Sequence, residues 1–137
     1  MKNTTINLLL AWLLLLLSAG VYADDYDDAM AALTDGDYTT AYRTFKRLAK
    51  RDHAEAQFQL GMLYLYGRGI GQDIQQGVTW LKQAAEDGYS YLAANELGQI
   101  YLAGQWVERN EAEAIKWLEL ATKIAEENEG EADEGCD

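Results

Sequence analysis

A stretch of sequence from Ala54 to Gly88 occurs a second time in this chain, at a spacing of 37 residues. The pair Leu60-Gly61 returns as Leu97-Gly98. The same spacing pairs Tyr64 with Tyr101, Gly67 with Gly104, Ile70 with Val107, Asp73 with Asn110, Trp80 with Trp117 and Ala84 with Ala121. A period in this range is typical of helical repeat arrays, in which each unit buries its apolar face against the next. The sequence therefore predicts a binding scaffold, but it does not name the partner.

Capping residues and apolar spacing predict the helices of each repeat. A side chain that can accept a capping hydrogen bond stands three residues before an acid or amide in three pairs: Asp52 with Glu55, Asp73 with Gln76, and Asn110 with Glu113. Helices are therefore expected to start near 53, 74 and 111. The predicted apolar faces of the first repeat are Ala56, Leu60, Leu63 and Tyr64 on one helix and Val78, Leu81, Ala84 and Ala85 on the other.

Two glycines and two tryptophans have predicted packing roles. Gly61 and Gly98 each lie inside a predicted helix, where glycine costs about 1 kcal/mol relative to alanine. Close contact between helices is the expected reason for them. Trp80 and Trp117 are predicted core anchors of the second helix in each pair.

A leading hairpin is predicted over residues 24–52, before the repeats over 53–89 and 90–125. A short helix through Ala29, Met30 and Leu33 ends at Gly36-Asp37. Residues Tyr38, Ala41, Phe45 and Leu48 then recur at helical spacing, in a helix that ends near Lys50. The pattern Gly36-Asp-Tyr38-x-x-Ala41-x-x-x-Phe45 resembles the tetratricopeptide helical hairpin.

Residues 1–23 have the features of a secretory signal peptide. Lys2 precedes an apolar run from Leu8 to Leu17, and Val21 and Ala23 are small residues at the two positions that a signal peptidase reads. Cleavage after Ala23 is the preferred prediction and gives a periplasmic or secreted protein with no membrane segment. The alternative is an uncut anchor, because the charge-free span just reaches the roughly 20 residues that a transmembrane helix needs.

The charge of the predicted mature chain limits its partners. Residues 24–137 contain all 23 acidic residues and all but one of the 11 basic ones, for a formal charge of −13. This charge disfavours nucleic acid and anionic lipid and favours cations or a basic protein, although it also serves simple solubility. Cys136 is the only cysteine, so no internal disulfide can form. Residues 126–137 carry seven acids and no base, which predicts a disordered acidic tail.

The doubled motif closely resembles the Sel-like repeat, a relative of the tetratricopeptide repeat. The second copy departs from the first at Trp106, which replaces Gly69, and at Thr122, which replaces Ala85. The resemblance implies an all-α fold, a short right-handed α-solenoid of antiparallel helix hairpins that serves as a platform for protein interactions. Exported bacterial members of the family have envelope and host-contact roles. Some cysteine-rich relatives are linked to β-lactam binding, which is not transferred because this chain lacks their cysteine pairs.

In such a solenoid the first helix of each hairpin lies on the concave side, so the register assigns candidate protein-binding residues. They are Tyr26, Met30, Leu33, Glu55, Phe58, Met62, Leu65, Tyr66, Leu92, Asn95, Gln99 and Leu102. An apolar stripe across three hairpins is typical of an interaction surface, and its natural ligand is a peptide or an amphipathic helix. The alternative is that the short array closes on itself or that its last helix covers the stripe.

The residue types argue against catalysis. His53 is the only histidine, and Ser90 is the only serine after residue 23, so no motif supports a catalytic triad. The glycine-rich segment over 67–71 lacks the ending of a phosphate loop and is predicted to be the connecting loop of the repeat. No enzyme activity, cofactor or metal is predicted.

Three function classes remain after these exclusions. The favoured class is an exported scaffold that binds a protein partner. The alternative is a self-associating envelope module, in which the stripe meets its own copy and Cys136 links a homodimer. A β-lactamase-like hydrolase is kept last, only because some relatives have been described in that way.

Overall fold

The computed structural model describes residues 25–88 and 90–133, with side chains described as far as Glu129. These residues form six helices and no strand. The helices are α1 over 25–35, α2 over Tyr38–Ala49, α3 over Ala54–Tyr66, α4 over Ile74–Glu86, α5 over Tyr91–Ala103 and α6 over Glu111–Asp133. The predicted signal peptide and Cys136 lie outside the described residues.

The helices pack in chain order. Helix α2 packs on α3, α3 on α4, α4 on α5, and α5 on α6. Helix α1 is held to α2 by the Tyr26 ring, which lies edge-on to Phe45 at 5.7 Å, and by an ion pair of 2.8 Å between Asp25 and Arg47. Short connections between successive helices give antiparallel hairpins. The predicted all-α solenoid of helix hairpins is confirmed.

The caps confirm two predicted helix starts and correct a third. Asp73 Oδ1 accepts a hydrogen bond from Gln76 N at 2.9 Å, and Asn110 Oδ1 accepts one from Glu113 N at 3.1 Å. At α3 the predicted cap, Asp52, was wrong, because the cap is His53, whose Nδ1 accepts from Ala56 N at 3.3 Å. Asp52 has a φ of 60° and makes the left-handed turn between α2 and α3, so the capping position falls one residue later.

The core consists of two clusters on either side of α3. The first joins α1, α2 and α3 through residues such as Phe45, Leu48 and Leu60. The second joins α3 to α6 through Leu65, Leu81, Leu97 and Trp117. The tryptophan anchors differ: Trp117 is 1% exposed, whereas Trp80 is only partly buried against the first cluster. Helix α3 therefore connects the leading hairpin to the repeats.

Close contact between α3 and α4 occurs where Gly61 faces Gly77. A Cβ added to Gly61 would lie 3.0 Å from the Gly77 carbonyl oxygen and 2.9 Å from Leu81 Cγ. A Cβ added to Gly77 would lie 2.7 Å from Leu65 Cγ. In the second repeat, a Cβ on Gly98 would lie 2.6 Å from Leu118 Cγ. The close helix contact predicted for Gly61 and Gly98 is confirmed.

The acidic C-terminal segment is helical over most of its length. Helix α6 continues to Asp133, so the structure describes residues 126–133 of the predicted disordered tail as helical. Glutamate and alanine are good helix formers, and this segment contains no proline to interrupt α6. Lys123 Nζ also lies 3.8 Å from Glu127 Oε1, a favourable pair one turn apart.

Gly77→Ala is expected to lower the free energy of unfolding by about 1–2 kcal/mol. Alanine would gain about 1 kcal/mol of helix propensity, but its methyl group would displace Leu65, whose full burial is worth about 1.5–3 kcal/mol. Urea unfolding followed by circular dichroism measures the change.

The matched control is Gly71→Ala, because a Cβ at Gly71 meets no atom within 4 Å. Its expected effect is within about 0.5 kcal/mol. If Gly77→Ala proves as stable as the native chain, Leu65 is not held by the absence of a side chain at residue 77.

Candidate functional site

The first helices of the three hairpins, α1, α3 and α5, form a common surface, called here the first-helix surface. A cavity of about 210 Å³ is lined by Leu33, Phe58, Gln59, Met62, Leu63, Tyr66 and Arg68. A second cavity of about 170 Å³ is lined by Tyr66, Glu96, Gln99, Ile100, Ala103, Gln105 and Trp106. Tyr66 borders both cavities, so the two are adjacent and the first-helix surface runs across all three hairpins.

Tyr66 is held in position by its neighbours but remains 50% exposed. The Trp106 ring lies perpendicular to it, at 88°, with 5.0 Å between ring centroids. The Arg68 guanidinium lies 5.2 Å from the Tyr66 ring centroid and 5.3 Å from that of Tyr38. An aromatic ring that is fixed in advance loses little conformational freedom when a partner covers it. Tyr66 thus has the properties of an interface anchor.

The position of Trp106 follows from a single change between the repeats. Its counterpart, Gly69, has a φ of 75°, and a Cβ there would collide with the Tyr38 carbonyl oxygen at the start of α2. A tryptophan cannot approach a neighbouring helix so closely. Trp106 instead packs against Tyr66 and also borders a third cavity, of about 570 Å³, that includes Ile74 of α4. A large aromatic residue in place of a loop glycine was the available sequence signal, but it was not assigned to the site.

The structure brings together five of the twelve predicted binding residues: Leu33, Phe58, Met62, Tyr66 and Gln99. Three others, Leu92, Asn95 and Leu102, line neither cavity, although Leu92 is 57% exposed and Leu102 is 36% exposed. Near the start of the array, Tyr26 stacks on His53 at 5.1 Å, Met30 packs against the first core cluster, and Glu55 Oε2 lies 3.2 Å from His53 Nδ1.

The prediction that Leu65 faces outward was wrong, because Leu65 is 0% exposed and belongs to the second core cluster. Leu65 fills the space beside Gly77, where there is no side chain to exclude it. The residue that corresponds to Gly77 in the second repeat is Ala114, which has the methyl group that Gly77 lacks. Leu102, the counterpart of Leu65, is at the surface.

A carboxylate that was not predicted lies on this surface. Glu96 borders the second cavity, and burial raises the pKa of its carboxyl group. At neutral pH the group is therefore a charge that has lost part of its hydration. A cationic group of a partner would supply the missing favourable contact. Counting from Leu60-Gly61, Glu96 corresponds to Gln59, which borders the first cavity.

The described residues form neither a membrane span nor a metal site. Across residues 25–88 and 90–133, no helix is long and apolar enough to span a bilayer. Within the same ranges, no group of three histidine, cysteine or acidic side chains is placed to hold a metal ion. The two cavities of the first-helix surface are lined by aromatic, aliphatic and amide groups with one carboxylate, Glu96, and one guanidinium, Arg68, a composition suited to binding.

Two segments of the chain, residues 54–89 and 92–123, match the Sel1 repeat family. The structure is similar to that of a Sel1 repeat protein from Oxalobacter formigenes, with a TM-score of 0.66 and 28% identity over 75% of this chain and 43% of that one. It is also similar to c5321, a protective antigen with an SLR fold present in uropathogenic Escherichia coli strains. That likeness has a TM-score of 0.66 and 31% identity over 83% of this chain and 25% of the other.

A curated relative is an uncharacterized protein of Neisseria meningitidis serogroup B, which is 38% identical over 56 residues. The match covers 41% of this chain and 12% of that protein. The chain thus spans less than half the length of these relatives. It is a Sel1-repeat protein with two repeats in tandem behind a leading hairpin. Proteins of this family generally serve as scaffolds for protein interactions.

Glu96→Gln is expected to raise the stability of the free protein at neutral pH relative to acidic pH. Because the folded pKa of Glu96 is raised, its contribution to stability is fully present below the unfolded value and falls as the pH rises through the folded pKa. Urea unfolding of the native and Glu96→Gln proteins from acidic to neutral pH measures the difference in their free energies of unfolding.

The control for this comparison is Glu119→Gln, which removes an exposed carboxylate from the middle of α6. If the free energies of unfolding of the native and Glu96→Gln proteins change with pH in the same way, the Glu96 carboxylate is not desolvated in the folded state.

Proposed function

We propose that this protein is an exported, non-enzymatic scaffold of the bacterial envelope that binds a peptide segment or an amphipathic helix of a partner protein. The proposed binding site is the first-helix surface, which corresponds to the concave side of the solenoid. The observation that carries the proposal is the half-exposed Tyr66, which is fixed by Arg68 and Trp106 between two adjacent cavities.

The sizes of the cavities favour a peptide over a small molecule. Small-molecule sites are usually about 300–1,000 Å³ and enclose most of their ligand. The two cavities beside Tyr66 are below this range, at about 210 and 170 Å³, and both are open to solvent. Each is suited to an apolar side chain of an extended or helical segment, while Tyr66 packs against the segment between them.

The charge of the site favours a partner with a basic residue. Glu96 is a partly desolvated anion at the second cavity, and the chain as a whole has a net charge of −12. A lysine or arginine opposite Glu96 would restore its lost interactions, and the overall charge would attract the basic segment. The expected ligand therefore combines two or three large apolar side chains with at least one cation.

Replacing the anchor ring tests the site directly. Peptides are selected from a random library on the purified protein, and the affinity of the tightest binder is measured by calorimetry for each variant. Tyr66→Ala is expected to weaken binding about tenfold, because truncation of an aromatic hot spot costs about 1–2 kcal/mol. Glu96→Gln should weaken the binding of selected peptides that contain a cation and leave the binding of the others unchanged.

The matched control is Tyr91→Ala. Tyr91 is also a tyrosine of a first helix and is 44% exposed, but it borders neither cavity. The Tyr91→Ala protein is expected to bind the selected peptide with the affinity of the native protein. Equal affinities for the native and Tyr66→Ala proteins would move the binding site elsewhere on the molecule.

Export has two independent lines of support. Residues 1–23 have the charge and apolar pattern of a signal peptide. The structural neighbour from uropathogenic Escherichia coli is described as a protective antigen, and an antigen on which host immunity acts must be accessible to the host.

The full chain, expressed in a Gram-negative host, is expected to accumulate in the periplasm or the medium without residues 1–23. Intact-mass spectrometry of each cell fraction measures the cleavage. Lys2→Glu is a useful comparison, because it reverses the only charged side chain before the apolar run and should slow export. Recovery of the uncleaved chain from the cytoplasm alone would contradict export.

A further inference from the structure

Helix α2 and the turn after it form a basic surface on an acidic protein. Five of the 11 basic residues of the chain lie between Tyr38 and Arg51, and this segment contains no carboxylate before Asp52. The five are Arg43, Lys46, Arg47, Lys50 and Arg51, and together they line a shallow concavity of about 500 Å³, called here the basic concavity. Like charges one turn apart destabilise a helix, so this arrangement works against the stability of α2.

Part of this charge is used within the fold. Arg47 Nη1 lies 2.8 Å from Asp25 Oδ2, and the hydrogen bond from Arg47 lowers the pKa of that carboxyl group against the effect of burial. Lys46 Nζ donates to the Tyr42 hydroxyl at 2.8 Å. Burial raises the pKa of Tyr42, but the hydrogen bonds with Lys46 and with the Tyr64 hydroxyl, together with the charges of Lys46 and Lys50, outweigh burial and lower it. The basic concavity therefore has a positive potential that acts on its own neighbours.

The C-terminal end of α6 has the opposite character. Ile124 is 2% exposed, whereas residues 126–129 are exposed and the helix continues to Asp133. Residues 126–137 carry seven acids and no base, and the last turn of α6 has no basic residue. Negative charge at a helix C-terminus opposes the helix dipole, and a helical end without packing is marginal. A cationic surface would offset both costs.

From this complementarity we infer that the acidic end of α6 docks in the basic concavity of a second copy of the chain. Helices α3, α4 and α5 lie between α2 and α6 within one chain. The described part of the acidic segment belongs to α6, which packs on α5. Each copy has one basic concavity and one acidic end, so the contact is head-to-tail and open-ended.

The net charge of the chain selects this occupant over an extended anionic surface. A membrane or a nucleic acid would meet the negative charge of the whole molecule, whereas a narrow helix end meets mainly the basic concavity. At physiological ionic strength charges act over about 8 Å, so the local attraction outlasts the repulsion between two acidic chains. The inference is independent of the first-helix surface, because it uses α2 and α6.

The test is sedimentation equilibrium at physiological ionic strength, with a reductant to prevent disulfide formation by Cys136. The protein is expressed as the full chain and used in the form in which it accumulates. The native protein should form oligomers that grow with concentration. Reversal of the concavity by Arg43→Glu, Lys46→Glu and Lys50→Glu, or of the acidic end by Glu126→Lys, Glu127→Lys and Glu129→Lys, should weaken association at least about tenfold.

A chain that carries both reversals should associate again, because the two charges are exchanged. This variant has the net charge of the native protein, so its recovery cannot come from a change in overall charge. The acid reversal by itself makes the chain less negative, and non-specific association would therefore increase, the opposite of the expected loss. Circular dichroism checks that each variant is folded. If the reversal of the basic concavity does not fold, Arg43→Gln, Lys46→Gln and Lys50→Gln replace it.

Three results would overturn the inference. The first is a native protein that stays monomeric at every concentration. An acidic end that docks within its own chain would give the same result and would equally contradict the contact between two copies. The second is failure of the double reversal to restore association. The third is binding of anionic lipid vesicles that depends on the basic concavity in a protein that does not self-associate.

Discussion

The contact between Gly61 and Gly77 determines how the rest of the molecule is arranged. Because neither residue has a side chain, α3 and α4 approach closely, and Leu65 and Leu81 fill the space beside the contact. Burial of Leu65 places the next residue, Tyr66, at the surface between the two cavities. In the second repeat Ala114 stands at the position of Gly77, and Leu102, the counterpart of Leu65, is at the surface. Two copies of one motif thus present different surfaces to a partner.

The periodicity of the sequence predicted nearly all of the fold, because helix starts and core positions depend on local patterns. Helices α4 and α6 begin where Asp73 and Asn110 indicated, and Trp117 is buried as expected. The binding surface was harder to predict because it depends on contacts between repeats. Burial of Leu65 follows from the missing side chain at Gly77, in another helix. The partial burial of Glu96 and the contact of Trp106 with Tyr66 likewise required the positions of neighbouring hairpins.

The charges of the protein are distributed unevenly, and the distribution separates two surfaces. The first-helix surface is largely apolar around Tyr66, with the partly desolvated carboxylate of Glu96 at one edge. Helix α2 is the second helix of the leading hairpin, and it has cations without a compensating acid on the helix itself. A chain selected only for solubility would gain from spreading its few cations among its many acids. Their concentration on α2 is better explained by a contact made there.

A short array makes these surface features costly, which is an argument for their use. Only a few helix contacts join the hairpins, so each side chain that bridges two hairpins matters to stability. Trp106 bridges Tyr66 and the start of α4, yet it leaves half of the Tyr66 side chain in solvent. Glu96 keeps a charge where a glutamine would avoid the loss of hydration. Folded proteins keep such departures from maximum stability mainly where another molecule supplies the missing contact. An aromatic ring and a carboxylate that both lack full contacts lie on one surface and beside the same cavity, which fits the single binding site proposed there.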